Sequence, residues 1–193
     1  MNKKQPNVHL ITDAFRDEVA RLRLKYDTVV ETGTHDGSGS TQIFVDNNYK
    51  VRTCECDIRK VKAARERFLT HDVDVAHAYT TYEHDLDPIY VARLDAYDAS
   101  PSWSDEQWLD TQIQEYRNSV LYFLDSHWTM GIREFLRIIY MHQNFGGEWT
   151  ILLDDAINHK HNSSIHYAKS IYKDRCKVHR IGGERWARIT LLP

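Results

Sequence analysis

Short apolar runs alternate with helical patterns along almost the whole chain, and that alternation admits few folds other than a parallel sheet covered by helices. An opening helix is predicted over about Thr12 to Lys25, with Phe15, Val19 and Leu22 on one stripe. The first strand, Thr28 to Glu31, runs into a Gly-rich turn and a helix near Ser40 to Asn47. The second, Val51 to Glu55, precedes Asp57, which is placed to cap a helix with Ile58, Val61, Ala64 and Phe68 on its apolar stripe. A third strand is expected over Val73 to Tyr79 and a fourth over Val120 to Leu124. A helix from about Ile132 to Asn144 follows, stopped by Gly146-Gly147, and Thr150 to Leu153 is the fifth strand. Ser163 or Ser164 opens the last helix, which carries Ile165, Ala168 and Ile171.

The end of the chain breaks the alternation. Cys176 to Ile181 and Trp186 to Leu192 are joined only by Gly182-Gly183-Glu184-Arg185, and so tight a join implies an antiparallel hairpin. The predicted fold class is therefore α/β: a doubly wound, mostly parallel seven-stranded sheet with a C-terminal antiparallel hairpin. Glu83 to Asn118 is the least regular stretch. It is either a crossover helix with a long loop or an aromatic lid, with a helix that opens at Ser104 and uses Gln107 in a capping box.

A length of 193 residues suits one domain over 1–193, stable without disulfides or a structural metal. The three cysteines do not make a disulfide framework, and Cys54 and Cys56 read as core residues of a strand rather than a metal or redox pair. The net charge is −3 with both signs interspersed, so no nucleic-acid partner is expected. No apolar segment follows Met1 to Pro6 and no run reaches membrane-spanning length, so a cytoplasmic protein with no signal peptide and no membrane partner is expected. A homo-oligomer is left open.

In open parallel sheets ligands sit beyond the C-terminal ends of the strands, so the residues that close each apolar run are the candidates for chemistry. The first run closes on Glu31-Thr32-Gly33-Thr34-His35-Asp36-Gly37-Ser38-Gly39-Ser40. Its glycines allow a tight turn and close approach to a ligand, with a helix N-terminus behind that favours negative charge. An ordinary turn is the alternative. Glu55, about twenty residues later, ends the second strand, where a carboxylate can accept hydrogen bonds from ribose hydroxyls. The fourth and fifth strands close on Asp125-Ser126-His127-Trp128 and Asp154-Asp155. Three carboxylates on two strand ends repel unless something offsets them, and Mg²⁺ is the economical counter-ion. Helix capping is the other reading. His127 lies two residues beyond Asp125, close enough to share that site.

These segments resemble a class I S-adenosylmethionine (SAM) methyltransferase. The match is carried by Val29-Val30-Glu31-Thr32-Gly33-Thr34, Glu55-Cys56-Asp57, Phe123-Leu124-Asp125-Ser126-His127-Trp128 and Leu152-Leu153-Asp154-Asp155-Ala156. More narrowly, the chain is similar to the macrocin O-methyltransferase-like group of metal-dependent sugar methyltransferases. The resemblance implies SAM as cofactor, held by Glu31, Gly33, Thr34, His35, Gly37, Ser40 and Glu55. It implies Mg²⁺ on Asp125, Asp154 and Asp155, with His127 as general base and Asp125 as its catalytic neighbour. Two departures stand out. Thr80-Thr81-Tyr82-Glu83 replaces the Gly-Asp-Ser that often contacts adenine, and the long N-terminal extension of the antibiotic-tailoring members is missing, which argues against a macrolide-sized acceptor.

The expected activity is thus a SAM-dependent, divalent-metal-dependent O-methyl transfer to a hydroxyl of a sugar or other small polar acceptor. A metal-independent methyltransferase of the same fold and a non-catalytic SAM- or nucleotide-binding module are the alternatives. A nicotinamide-dependent dehydrogenase is disfavoured by the acidic strand ends and the terminal hairpin.

Overall fold

The protein is described from a computed structural model that covers residues 12–80, 107–157, 159–183 and 185–193, with the side chains of Trp128, His159 and Lys160 left aside. In chain order its elements are α1 (Asp13–Leu22), β1 (Thr28–Thr32), α2 (Ser40–Asp46), β2 (Lys50–Glu55), α3 (Ile58–Arg67) and β3 (Val73–His77). Then come α4 (Trp108–Tyr116), β4 (Leu121–Leu124), α5 (Trp128–Phe145), β5 (Trp149–Leu153) and α6 (His159–Tyr172). A 3₁₀ turn (Lys173–Arg175), β6 (Cys176–Ile181) and β7 (Trp186–Leu191) complete it.

The strands form one sheet in the order β3-β2-β1-β4-β5-β7-β6. β1 to β5 are parallel, and β7 pairs antiparallel with both β5 and β6, as the tight Gly182-Gly183 join requires. The order reverses at β1, with β2 on one side and β4 on the other, so the crevice at their C-terminal ends is the switch point of the sheet.

Successive strand residues serve opposite faces, and each face has its own core. Val29, Phe123 and Leu152 point to one side, where Phe15 and Phe44 of α1 and α2 pack on them. Val30, Leu124 and Leu153 point to the other, against Leu109, Phe135 and Ile165 of α4, α5 and α6. Both faces being covered explains why β1, β4 and β5 are buried at every position. Phe15, fully buried, stacks on Trp186 with ring centroids 4.1 Å apart, which ties the first helix to the last strand.

Caps sit where the sequence puts them. The Thr12 side chain accepts the Phe15 N–H, and Asp57 accepts the Arg59 N–H at the start of α3. Two helices begin earlier than their apolar pattern suggests. α5 starts at Trp128, its first turn closed by the Gly131 N–H on the His127 carbonyl at 2.8 Å. α6 starts at His159, because His161 is fully buried and its ring sits 6.5 Å from that of Phe135. Gln107 is not an interior helical residue: it is extended, and the helix starts after it. The rest of the stretch expected over Glu83–Asn118 as a crossover helix with a long loop or as an aromatic lid lies, up to residue 106, outside the described residues. Among the described residues no helix is long and apolar enough to cross a membrane.

Candidate functional site

The C-terminal ends of β1, β2, β4 and β5 are laced together by the backbone. The Asp125 N–H donates to the Thr32 carbonyl at 3.1 Å, and the Asp154 N–H donates to the Leu124 carbonyl at 3.2 Å. On the other side, the Gly33 and Thr34 N–H groups both donate to the Cys54 carbonyl at 3.2 Å. Gly33 has a φ of 84°, and a Cβ there would lie 2.8 Å from the Asp125 carbonyl oxygen. Only glycine lets the two loops meet. Gly37 is constrained similarly, since its missing Cβ would strike the Phe68 ring at 2.5 Å.

Glu55 locks the Gly-rich loop onto β2. One carboxylate oxygen accepts the His35 N–H at 3.0 Å, and the other accepts the N–H groups of Cys56 at 2.9 Å and Asp57 at 3.0 Å. His35 takes the left-handed conformation (φ 55°) to make this contact, and its side chain is exposed. Beyond it, Asp36 accepts both the N–H and the hydroxyl of Ser38, and the Ser38 contacts hold its carboxyl down at about 2. The Thr34 hydroxyl is buried, donating to the Cys54 carbonyl and meeting the Thr53 hydroxyl.

Glu31 and Ser40 are placed differently from the expectation that both face a cofactor. Glu31 is fully buried, and its carboxylate accepts the Ser40 hydroxyl at 2.5 Å and the Thr41 hydroxyl at 2.6 Å. The pair braces the loop from beneath. Burial pushes the Glu31 carboxyl up to about 7, against the opposing pull of the Ser40, Thr41 and Thr53 hydroxyls. The Cys54 thiol is buried and pushed well up, and Cys56 is pushed up to about 12, both by desolvation, so neither is a reactive thiolate.

Asp125, Asp154 and Asp155 do come to neighbouring strand ends: Asp125 and Asp154 stand one residue beyond the paired Leu124 and Leu153, and Asp155 two beyond Leu153. Arg185, from the β6–β7 hairpin, spans Asp154: Nε donates to Oδ1 at 2.9 Å and Nη2 to Oδ2 at 3.1 Å. The same guanidinium is 3.8 Å from Asp155, and Asp125 adds to the field around it. The Asp154 hydrogen bond, ahead of the opposing cost of burial, raises the Arg185 pKa above its already high ordinary value. Among the described residues, no group of three His, Cys, Asp or Glu side chains is arranged to hold a metal ion. Repulsion among these acids was weighed in the sequence without Arg185, which pairs with Asp154 and lies near Asp155.

His127 is the N-cap of α5 and is exposed at the mouth of this crevice. Its side chain makes no cap bond to the helix.

One residue absent from the sequence-based candidates organises the site. Glu134, on α5, is fully buried and its carboxylate accepts three hydroxyls. Thr32 donates at 2.8 Å and Ser126 at 2.7 Å, and Thr80 reaches it from the segment after β3. The signal was there: Glu134 is four residues from both Met130 and Ile138, on the buried stripe of its helix.

No protein-family model matches this sequence, and no curated protein matches it as a relative. Similar solved structures exist at low identity. An O-methyltransferase from Bacillus cereus in complex with S-adenosylhomocysteine (SAH) superposes with a TM-score of 0.58 at 14% identity, over 96% of this chain and 84% of that one. The O-methyltransferase of tomaymycin synthesis from Streptomyces achromogenes, in complex with SAM, gives 0.53 at 10% identity, over 94% and 81%. An rRNA methylase from Streptococcus thermophilus gives 0.52 at 10% identity over 100% of both chains. Identities this low speak to architecture alone. The strand order, the parallel-then-antiparallel pairing and these superpositions together show that the chain has the class I methyltransferase fold.

Proposed function

We propose that this protein is a SAM-dependent methyltransferase that acts on a hydroxyl of a small polar acceptor, such as a sugar. The observation that carries this reading is the Gly33–Asp125 contact, which sets the Gly-rich loop of β1 directly against the acid that ends β4. A cofactor side and an acceptor side thus share one wall, in a fold common to O-methyltransferases of the kinds described above.

The residues suit the cofactor. Glu55 presents a carboxylate oxygen that takes one N–H and has a second lone pair for a ribose hydroxyl. Gly33 lets the loop backbone lie close to the methionine portion. When bound, SAM supplies an electrophilic methyl group on a sulfonium. The chain's own residues must then align an acceptor and take up its proton. In this reading His127, which is exposed, receives that proton, and Asp125 orients the hydroxyl. No step is assigned to a metal ion, because Asp154 is already bridged by Arg185.

The test is incubation of the purified chain with methyl-labelled SAM and a panel of hydroxylated acceptors, with calorimetry of SAH binding alongside. Saturable SAH binding and label transfer to a hydroxyl support the reading. Absence of SAH binding overturns it, and binding without transfer to any acceptor favours a non-catalytic module.

A further inference from the structure

The strand-end acids and the hairpin arginine raise a question of charge that the proposed reaction leaves untouched. Asp154 is 1% exposed, and a carboxylate at that depth requires a partner. Its Oδ1 accepts both Arg185 Nε and the Asp155 N–H at 2.8 Å, while Oδ2 accepts Arg185 Nη2. A divalent cation coordinates through the same oxygen lone pairs, at about 2.0–2.6 Å. It would have to displace the guanidinium or sit beside it at the cost of like-charge repulsion.

Arg185 is not readily displaced. Its carbonyl accepts the Ala156 N–H at 2.6 Å, which pins the hairpin turn to the segment after β5. Its guanidinium carbon lies 5.1 Å from the centre of the Trp186 ring, and Trp186 is itself stacked on Phe15 in the core. Backbone, ring and bidentate ion pair fix the planar group in one orientation, a geometry that lysine would not reproduce.

We propose that Arg185 is the built-in counter-charge of the Asp125, Asp154 and Asp155 strand ends, standing where a divalent cation would otherwise bind, so that this acceptor crevice works without one. The consequence for methyl transfer rests on the function proposed above, whereas the charge balance does not. A C-terminal hairpin that places a guanidinium on the end of β5 replaces an exchangeable ion with a covalent part of the chain.

The test uses the full chain stripped with EDTA, with Mn²⁺ as probe, followed by calorimetry and thermal unfolding. Wild-type protein should show no saturable one-to-one Mn²⁺ binding, and its Tm should not move with EDTA or Mn²⁺. Arg185→Gln should lower Tm by roughly 5–10 °C, the scale of breaking a largely buried pair in a chain of this size. That variant should also acquire one Mn²⁺ per chain and recover Tm with it. Arg185→Lys keeps the charge, so it should melt closer to wild type and bind no Mn²⁺, and it decides the matter should the Gln variant not fold. Saturable Mn²⁺ binding by wild type that Asp154→Asn abolishes would overturn the proposal. So would an Arg185→Gln protein that melts like wild type. Mn²⁺ binding is read without substrate, so a chain that binds no SAH fails the functional reading and leaves this result intact.

Discussion

The buried carboxylate of Glu134 accepts the Thr32 hydroxyl at 2.8 Å, joining the helix after β4 to the last residue of β1. Ser126 and Thr80 complete the same acceptor, so one side chain gathers the end of β1 and the segments after β3 and β4 around the crevice. Glu134→Ala would leave three hydroxyls without that acceptor. A loss of about 2–4 kcal/mol in stability is expected, measured by urea unfolding, with Glu134→Gln intermediate because it keeps one acceptor oxygen. A variant as stable as wild type would mean that the three hydroxyls find other partners at no cost.

Glu31 gives stability a pH dependence of definite sign. Its folded pKa of about 7 lies above the ordinary 4.5, so the folded state holds a proton that the unfolded state gives up between those values. The contribution is complete below pH 4.5 and is lost as pH rises through 7, to a total of about 3 kcal/mol. Glu31→Gln removes that slope. Urea unfolding of both proteins at pH 5 and pH 8 should show the variant gaining relative stability at the higher pH, and parallel behaviour would place the Glu31 carboxyl in its ordinary range.

Glu55→Ala should weaken SAM binding by roughly 1–3 kcal/mol, because it removes both the proposed ribose acceptor and the bond that sets His35 in place. Glu55→Gln keeps one acceptor oxygen and should fall between. Calorimetry giving an unchanged SAM affinity for the Ala variant would take Glu55 out of the cofactor site.

His127→Ala should lower turnover by on the order of 10²–10⁴-fold while leaving SAH affinity nearly unchanged, as expected for loss of a general base. His127 caps α5 through its backbone and makes no side-chain cap bond, so the fold should tolerate the change. Turnover at the wild-type rate would hand the proton to another group.

β4 and β5 were legible as short apolar runs and β2, β3 and β6 as segments mixing apolar and polar residues between turn or cap signals, and the sharp Gly182-Gly183 join gave away the antiparallel hairpin. Glu55 and the Asp125, Asp154 and Asp155 ends were legible by position, since topology alone brings strand ends together. What those acids meet was not. Arg185 is thirty-one residues from Asp154 in sequence and reads there as an ordinary turn residue. Glu31 in β1 and Ser40 at the start of α2 flank the Gly-rich loop, and only three-dimensional packing turns their side chains towards each other. Glu134 was hidden by the habit of assigning helical carboxylates to solvent, although its spacing from Met130 and Ile138 marked it as interior.

The close passage of Gly33 against Asp125 also sets a tolerance. An in-line transfer succeeds only when donor and acceptor atoms keep a separation fixed to within a fraction of an ångström. In the reaction proposed above, the reference surface for that separation is a peptide-to-peptide contact between two loops, with no side chain between them to change rotamer. Alignment of the two halves is therefore a property of the backbone, inherited from the pairing of β1 with β4. A side chain introduced at Gly33 would act as a shim, forcing the loop after β1 and the segment after β4 apart, and with them the two sides of the proposed reaction.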